Sequence, residues 1–83
     1  MIMNLKEKRE ALIKYFKQTL LDQTEALKEA DDSQKELIEL LIEKTQFSLL
    51  LMEEGSAVFN GEKAELNDTK IEMMYRNYFE DPS

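Results

Sequence analysis

The stretch SQKELIELLIEKTQFSLLLMEEG, residues 33–55, decides the fold class. It opens on Ser33 with Glu36 three residues later, the Ser-x-x-Glu pattern in which two side chains cap a helix start reciprocally. It closes on Gly55, a residue able to take the left-handed conformation that ends helices. Between them, at about 100° per residue, Phe47, Leu40, Leu51, Leu37, Leu41, Met52, Ile38, Leu49 and Ile42 spread over an arc of about 220°. A surface helix carries an apolar stripe little more than about 100° wide. A helix over about 34–54 with this pattern needs neighbours on two sides.

One neighbour lies immediately upstream. Asn4 with Glu7 reads as a capping box for a helix over about 5–30. Within it Ile13, Phe16, Leu20, Gln23, Leu27 and Ala30 step by three and four residues, the spacing of a heptad seam. Leu12 and Leu21 widen that seam, whereas Lys6 and Arg9 occupy its first turns. The polar knot Asp31-Asp32-Ser33 leaves room for a tight connection only, so the two helices are expected to fold back as an antiparallel hairpin.

Downstream, Asn60-Gly61 marks a turn. The residues around it do not alternate visibly, so residues 56–67 are expected to be a loop, with a helical turn near 62–66. Thr69 with Glu72 reads as a further capping box, with Asp68 as a competing cap. Ile71, Met74, Tyr75, Tyr78 and Phe79 then follow one apolar face of a short helix over about 69–79. Asp81-Pro82-Ser83 should fray. The expected class is all-α: a helical hairpin plus a short third helix in a single domain spanning 1–83.

Composition narrows the function. The 83 residues contain no cysteine and no histidine. Disulfides, thiolate metal sites, histidine bases and nucleophilic triads are therefore excluded. No glycine-rich phosphate loop occurs. Glu39 and Glu43 stand four residues apart, but helical di-metal sites add the histidine of a Glu-x-x-His motif. No catalytic residue, metal ligand or cofactor is expected, and the chain is not expected to be an enzyme. Every segment is interrupted by Lys or Glu, so no membrane span is expected. The N-terminus lacks the pattern of a secretory signal, which makes the cytoplasm the expected location.

Charge is distributed unequally. Residues 1–20 hold Lys6, Lys8, Arg9, Lys14 and Lys17 against Glu7 and Glu10, a net of +3, and residues 21–83 hold six basic against sixteen acidic residues, a net of −10, which together give the −7 of the chain. The simplest consequence is attraction between the early basic helix and the later acidic elements. Direct binding of nucleic acid is disfavoured by the acidic remainder.

A chain of this length buries only about 60% of its unfolded surface, and oligomerisation is the supplement left when disulfides and metals are absent. These features point to a regulatory or structural interaction protein, binding another protein or a second copy of itself in a helical-bundle homodimer. Phe16, Leu20, Leu27, Leu40, Phe47, Leu51, Tyr75 and Tyr78 are the candidate interface residues, and Gln23 could fix the register. A different class is an acidic inhibitor that imitates DNA and occupies a DNA-binding protein's basic cleft, as an antirepressor does. Its carboxylates would be Glu36, Glu39, Glu43, Glu53 and Glu54 on the second helix, with Asp22, Glu25 and Glu29 on the first. A third reading, an immunity protein of the bacteriocin type, rests on analogy between small helical bundles alone.

Overall fold

The computed structural model describes residues 2–80. In chain order the elements are α1 (Leu5–Glu29), α2 (Asp32–Glu54), β1 (Ser56–Phe59), β2 (Glu62–Glu65) and α3 (Asp68–Phe79). The chain is mostly helical, and it carries one two-stranded antiparallel sheet that the sequence reading lacks. The expected fraying of Asp81-Pro82-Ser83 lies outside the described residues.

The start of α1 is built as its sequence indicates. Asn4 Oδ1 accepts from the Glu7 amide at 2.8 Å and Glu7 Oε1 accepts from the Asn4 amide at 3.1 Å. The start of α2 is different. Asp31, not Ser33, is the cap: its Oδ1 accepts from the Gln34 amide at 3.1 Å and from the Ser33 hydroxyl at 2.6 Å. A carboxylate is the stronger acceptor at the positive end of a helix, so the serine donates to it and does not cap.

The Ser33 hydroxyl, with the Gln34 and Ser33 amides, holds the Asp31 carboxyl below its ordinary value. The charged form is therefore favoured in the folded chain. Its contribution is present above the unfolded value and is lost as pH falls through the lower, folded one. A carboxyl NMR titration should place the Asp31 midpoint below the ordinary range, and Ser33→Ala should raise it. A midpoint that Ser33→Ala leaves in place would contradict this cap.

The hairpin at 56–65 corrects the expected loop. Asn60 (φ 53°) and Gly61 (φ 80°) both sit at positive φ, as the tight two-residue turn between twisted strands demands. Ala57 pairs with Ala64 and Phe59 with Glu62. The inward face is Ala57, Phe59, Ala64 and Leu66, while Val58 points outward. Period-two alternation is present, but small alanines hold two inner sites and a large valine holds an outer one. Hydrophobicity therefore disguised the pattern. Asn67, and neither Thr69 nor Asp68, caps α3 by accepting from the Lys70 amide at 2.8 Å.

The core lies at one end of the helical hairpin. Leu12, Phe16, Leu51, Met52, Ala57 and Ile71 are buried together, drawn from both helices, β1 and α3. Gly55 ends α2 at φ 82°, its amide donating to Leu51 O at 3.0 Å. Arg9 of α1 reaches across, Nε donating to Met52 O at 2.6 Å. It places a cation at the negative end of α2, whose own last turn has none. At the other end of the hairpin, Thr45 is the sole buried residue of the stretch 17–50.

Candidate interaction surfaces

Helix α2 has three apolar sectors besides the exposed Leu37 and Leu41, and the rest of the chain meets them unequally. The base of the helix is covered. Leu51 and Met52 enter the core, and Phe47 stacks on Phe59 of β1 with ring centroids 5.5 Å apart.

A second sector faces sideways across the α1–α2 pair. Helical spacing puts Ile13, Leu20 and Leu27 on one side of α1, and Ile38, Ile42 and Leu49 on the matching side of α2. All six are half-buried. The ion pair between Lys17 Nζ and Glu53 at 3.6 Å joins the helices along that side. Helix α3 approaches α1 from a different direction, through Tyr15 and Phe16, and β1 approaches α2 through Phe47. By spacing, those contacts point away from the six aliphatics, of which Ile13 and Leu49 pack against the core while Leu20, Leu27, Ile38 and Ile42 lie beyond it.

The third sector is the outer face of α2, turned away from α1. Leu40 is 43% exposed and Leu50 46%, and Glu36, Glu43 and Glu54 alternate with them by helical spacing. Where the β-hairpin leans on α2, Glu43, Phe47, Leu50, Val58 and Phe59 line a groove of about 310 Å³. Val58 at its edge is 63% exposed.

The aromatic residues of α3 serve its own attachment. Tyr78 meets Tyr15 at 5.1 Å and Phe16 at 5.2 Å between ring centroids, and Tyr75 stacks on Phe79 at 4.8 Å. The Tyr75 hydroxyl donates to Met3 Sδ at 3.0 Å, and Lys8 Nζ lies 5.4 Å from the Tyr75 ring centre. Lys8 also pairs with Glu72 at 2.9 Å, a hydrogen bond that raises its pKa. Three of the five basic residues in 1–20 thus hold down later parts of the chain: Lys8, Arg9 and Lys17.

The candidate interface residues fall into separate groups. Phe16 and Leu51 lie inside the core of this chain and offer no surface to a partner. Periodicity could not separate them from exposed neighbours at equivalent positions. Leu20 and Leu27 line the sideways face, Leu40 and Phe47 the outer one, and Tyr75 and Tyr78 the α1–α3 contact. Of the acidic residues, Glu36, Glu39, Glu43 and Glu54 are exposed and make no ion pair among the described residues, whereas Glu53 is held by Lys17. Val58 and Leu50 were missed as surface residues. The Asn60-Gly61 turn was the signal that could have found the groove they form.

One polar atom is out of place. Gln23 Oε1 is buried and has no hydrogen-bond partner among the described residues. A buried acceptor left unpaired costs about 1–3 kcal/mol. Gln23→Leu removes it at similar volume and should raise the melting temperature by several degrees, since about 1 kcal/mol moves a domain of this size by about 4–8 °C. Thermal unfolding followed by circular dichroism tests this, and a lower melting temperature would contradict it.

Among the described residues, no group of three or more His, Cys, Asp and Glu is placed to hold a metal, and no helix is long and apolar enough to cross a membrane. The chain matches no family model, no characterised protein and no solved structure.

Proposed function

We propose that the protein is a cytoplasmic, non-enzymatic contact protein that works as a homodimer, two α1–α2 hairpins pairing face to face in a four-helix bundle. The observation that carries this reading is the sideways face of Ile13, Leu20, Leu27, Ile38, Ile42 and Leu49, all half-buried, with only Ile13 and Leu49 packed against the core.

A two-fold axis parallel to the helices sets α1 of one protomer against α2 of its partner, so that all neighbouring helices run antiparallel. By helical spacing, Lys17 and Lys28, with Glu10, rim this face on α1, and Glu39 and Glu53, with Lys35, rim it on α2. Lys17 and Glu53 pair within the chain, and the two-fold axis brings Lys28 of each protomer toward Glu39 of the other. The face is about 21 Å long from Ile13 to Leu27 at 1.5 Å per residue and about two helices wide. That gives about 400 Å² per chain, below what most specific interfaces bury. Association no tighter than about the micromolar range is expected. Sedimentation equilibrium should give twice the chain mass of 9.8 kDa, with a melting temperature that rises with protein concentration. A species of 9.8 kDa at every concentration would refute the dimer.

A second reading draws on a separate observation. Glu36, Glu39, Glu43 and Glu54 are exposed and free of ion pairs among the described residues, as a surface imitating a DNA backbone requires. In that case binding to the target falls with charge reversal and is indifferent to the leucines between the carboxylates.

A further inference from the structure

We infer that the outer face of α2 is a docking surface for a basic amphipathic helix of another protein. The inference rests on the reading of this chain as a contact protein, but not on the dimer, whose face lies on a different side of α2.

Two features of the outer face act together. The first is apolar: Leu40 and Leu50 are exposed along the helix, and the groove beside them, walled by Phe47, Val58 and Phe59, is open. At about 310 Å³ it suits one or two large side chains better than a whole small-molecule ligand, whose sites begin near that size. The second is electrostatic. Glu36, Glu43 and Glu54 border the apolar residues and have no cationic partner among the described residues. Lys35 is paired with Asp32 at 3.7 Å, off this face.

The charge pattern selects the occupant. A second copy of this face would set carboxylates against carboxylates, and an anionic lipid surface or a nucleic acid would be repelled in the same way. A partner rich in Lys or Arg with no apolar stripe would leave Leu40, Leu50 and Val58 in water. An amphipathic helix answers both needs. Its apolar anchors at i, i+3, i+4 and i+7 lie along Leu40 and Leu50 and enter the groove at Val58. Its flanking cations meet the three glutamates. The span from Glu36 to Glu54 is about 27 Å at 1.5 Å per residue, enough for about five helical turns of partner.

A Lys/Leu amphipathic peptide of about 18 residues tests this by calorimetric titration and circular dichroism. The peptide should bind one per chain and gain helix on binding. Affinity should fall steeply as salt rises from about 0.05 to 0.5 M, because exposed charges are screened within a few ångströms at the higher value. Two double variants separate the contributions. Glu36→Lys with Glu43→Lys should weaken binding at least about tenfold, and so should Leu40→Asn with Leu50→Asn, which leaves the charge unchanged. A scrambled peptide of the same composition, lacking the amphipathic period, should bind about tenfold more weakly than the ordered one.

Failure of the ordered peptide to bind overturns the inference. So does binding that the Leu40→Asn, Leu50→Asn variant leaves intact, which would favour DNA mimicry. Sedimentation of the wild-type chain reports on the dimer separately. A monomer that binds the peptide refutes the dimer alone, and a dimer that ignores the peptide refutes this docking surface alone.

Discussion

Leu12→Ala and Met52→Ala should each lower the stability of the chain by about 2–5 kcal/mol. Both side chains are 0% exposed, at the point where α1, the end of α2, β1 and α3 converge. Folded domains hold roughly 0.05–0.15 kcal/mol per residue, or about 4–12 kcal/mol for a chain of this length. Either substitution therefore removes a large part of the total, and the pair should leave the chain mostly unfolded at room temperature. The reason lies in how lopsided the core is. Six buried apolar residues sit at one end of the helical hairpin, so the cavity left by either substitution has few neighbours able to refill it. Urea unfolding followed by circular dichroism measures the loss. Leu37→Ala, on a residue 61% exposed, is the comparison and should change stability by no more than about 0.5 kcal/mol. Equal losses at Leu12 and Leu37 would mean the core is elsewhere.

The residues that announced this architecture did so through local rules. The Asn4–Glu7 box, the apolar periods of the three helices and the glycine at 55 each depend on side chains within a turn or two of one another. Such rules leave a mark in a linear sequence. At the α1–α2 corner three candidate caps stand side by side, and only three-dimensional placement shows that the Asp31 carboxylate takes both the Gln34 amide and the Ser33 hydroxyl. The β-hairpin was illegible for another reason. Two of its inner positions are alanines while Val58 points outward, so its alternation is one of burial and not of hydrophobicity.

The candidate surfaces divide along the same line. Helical period gives the direction in which Phe16, Leu20, Leu40 and Leu51 point, but not what lies in that direction. Tertiary contacts bury Phe16 and Leu51 in this chain, and leave Leu40 exposed. The basic start of the chain was legible as a charge imbalance. Its assignments, Lys8 to Glu72 and Arg9 to the Met52 carbonyl, span 64 and 43 residues and follow from no local pattern.

Ile42→Glu should convert the dimer to a folded monomer. Ile42 lies at the middle of the sideways face of α2, half-buried by its own hairpin. A two-fold interface repeats every change, so one substitution places two unpaired carboxylates in the assembled bundle. An uncompensated charge at a buried interface costs about 2–5 kcal/mol, which is a loss in affinity of about 30-fold or more. An interface of only about 400 Å² per chain cannot absorb that. The monomer tolerates the change better, because the new side chain can extend along the open side of the helix pair into water. At concentrations where the wild type sediments at twice 9.8 kDa, the variant should sediment as a single chain with its helical signal intact. Leu40→Glu puts the same charge on the outer face and should leave the dimer mass unchanged, which separates a general effect of added charge from one specific to this face. The rims give an independent check: Lys28→Glu should weaken the dimer, and Glu39→Lys added to it should restore part of the loss, a coupling seen only if the two rims meet across the axis. A variant at Ile42 that still sediments as a dimer would place the contact elsewhere.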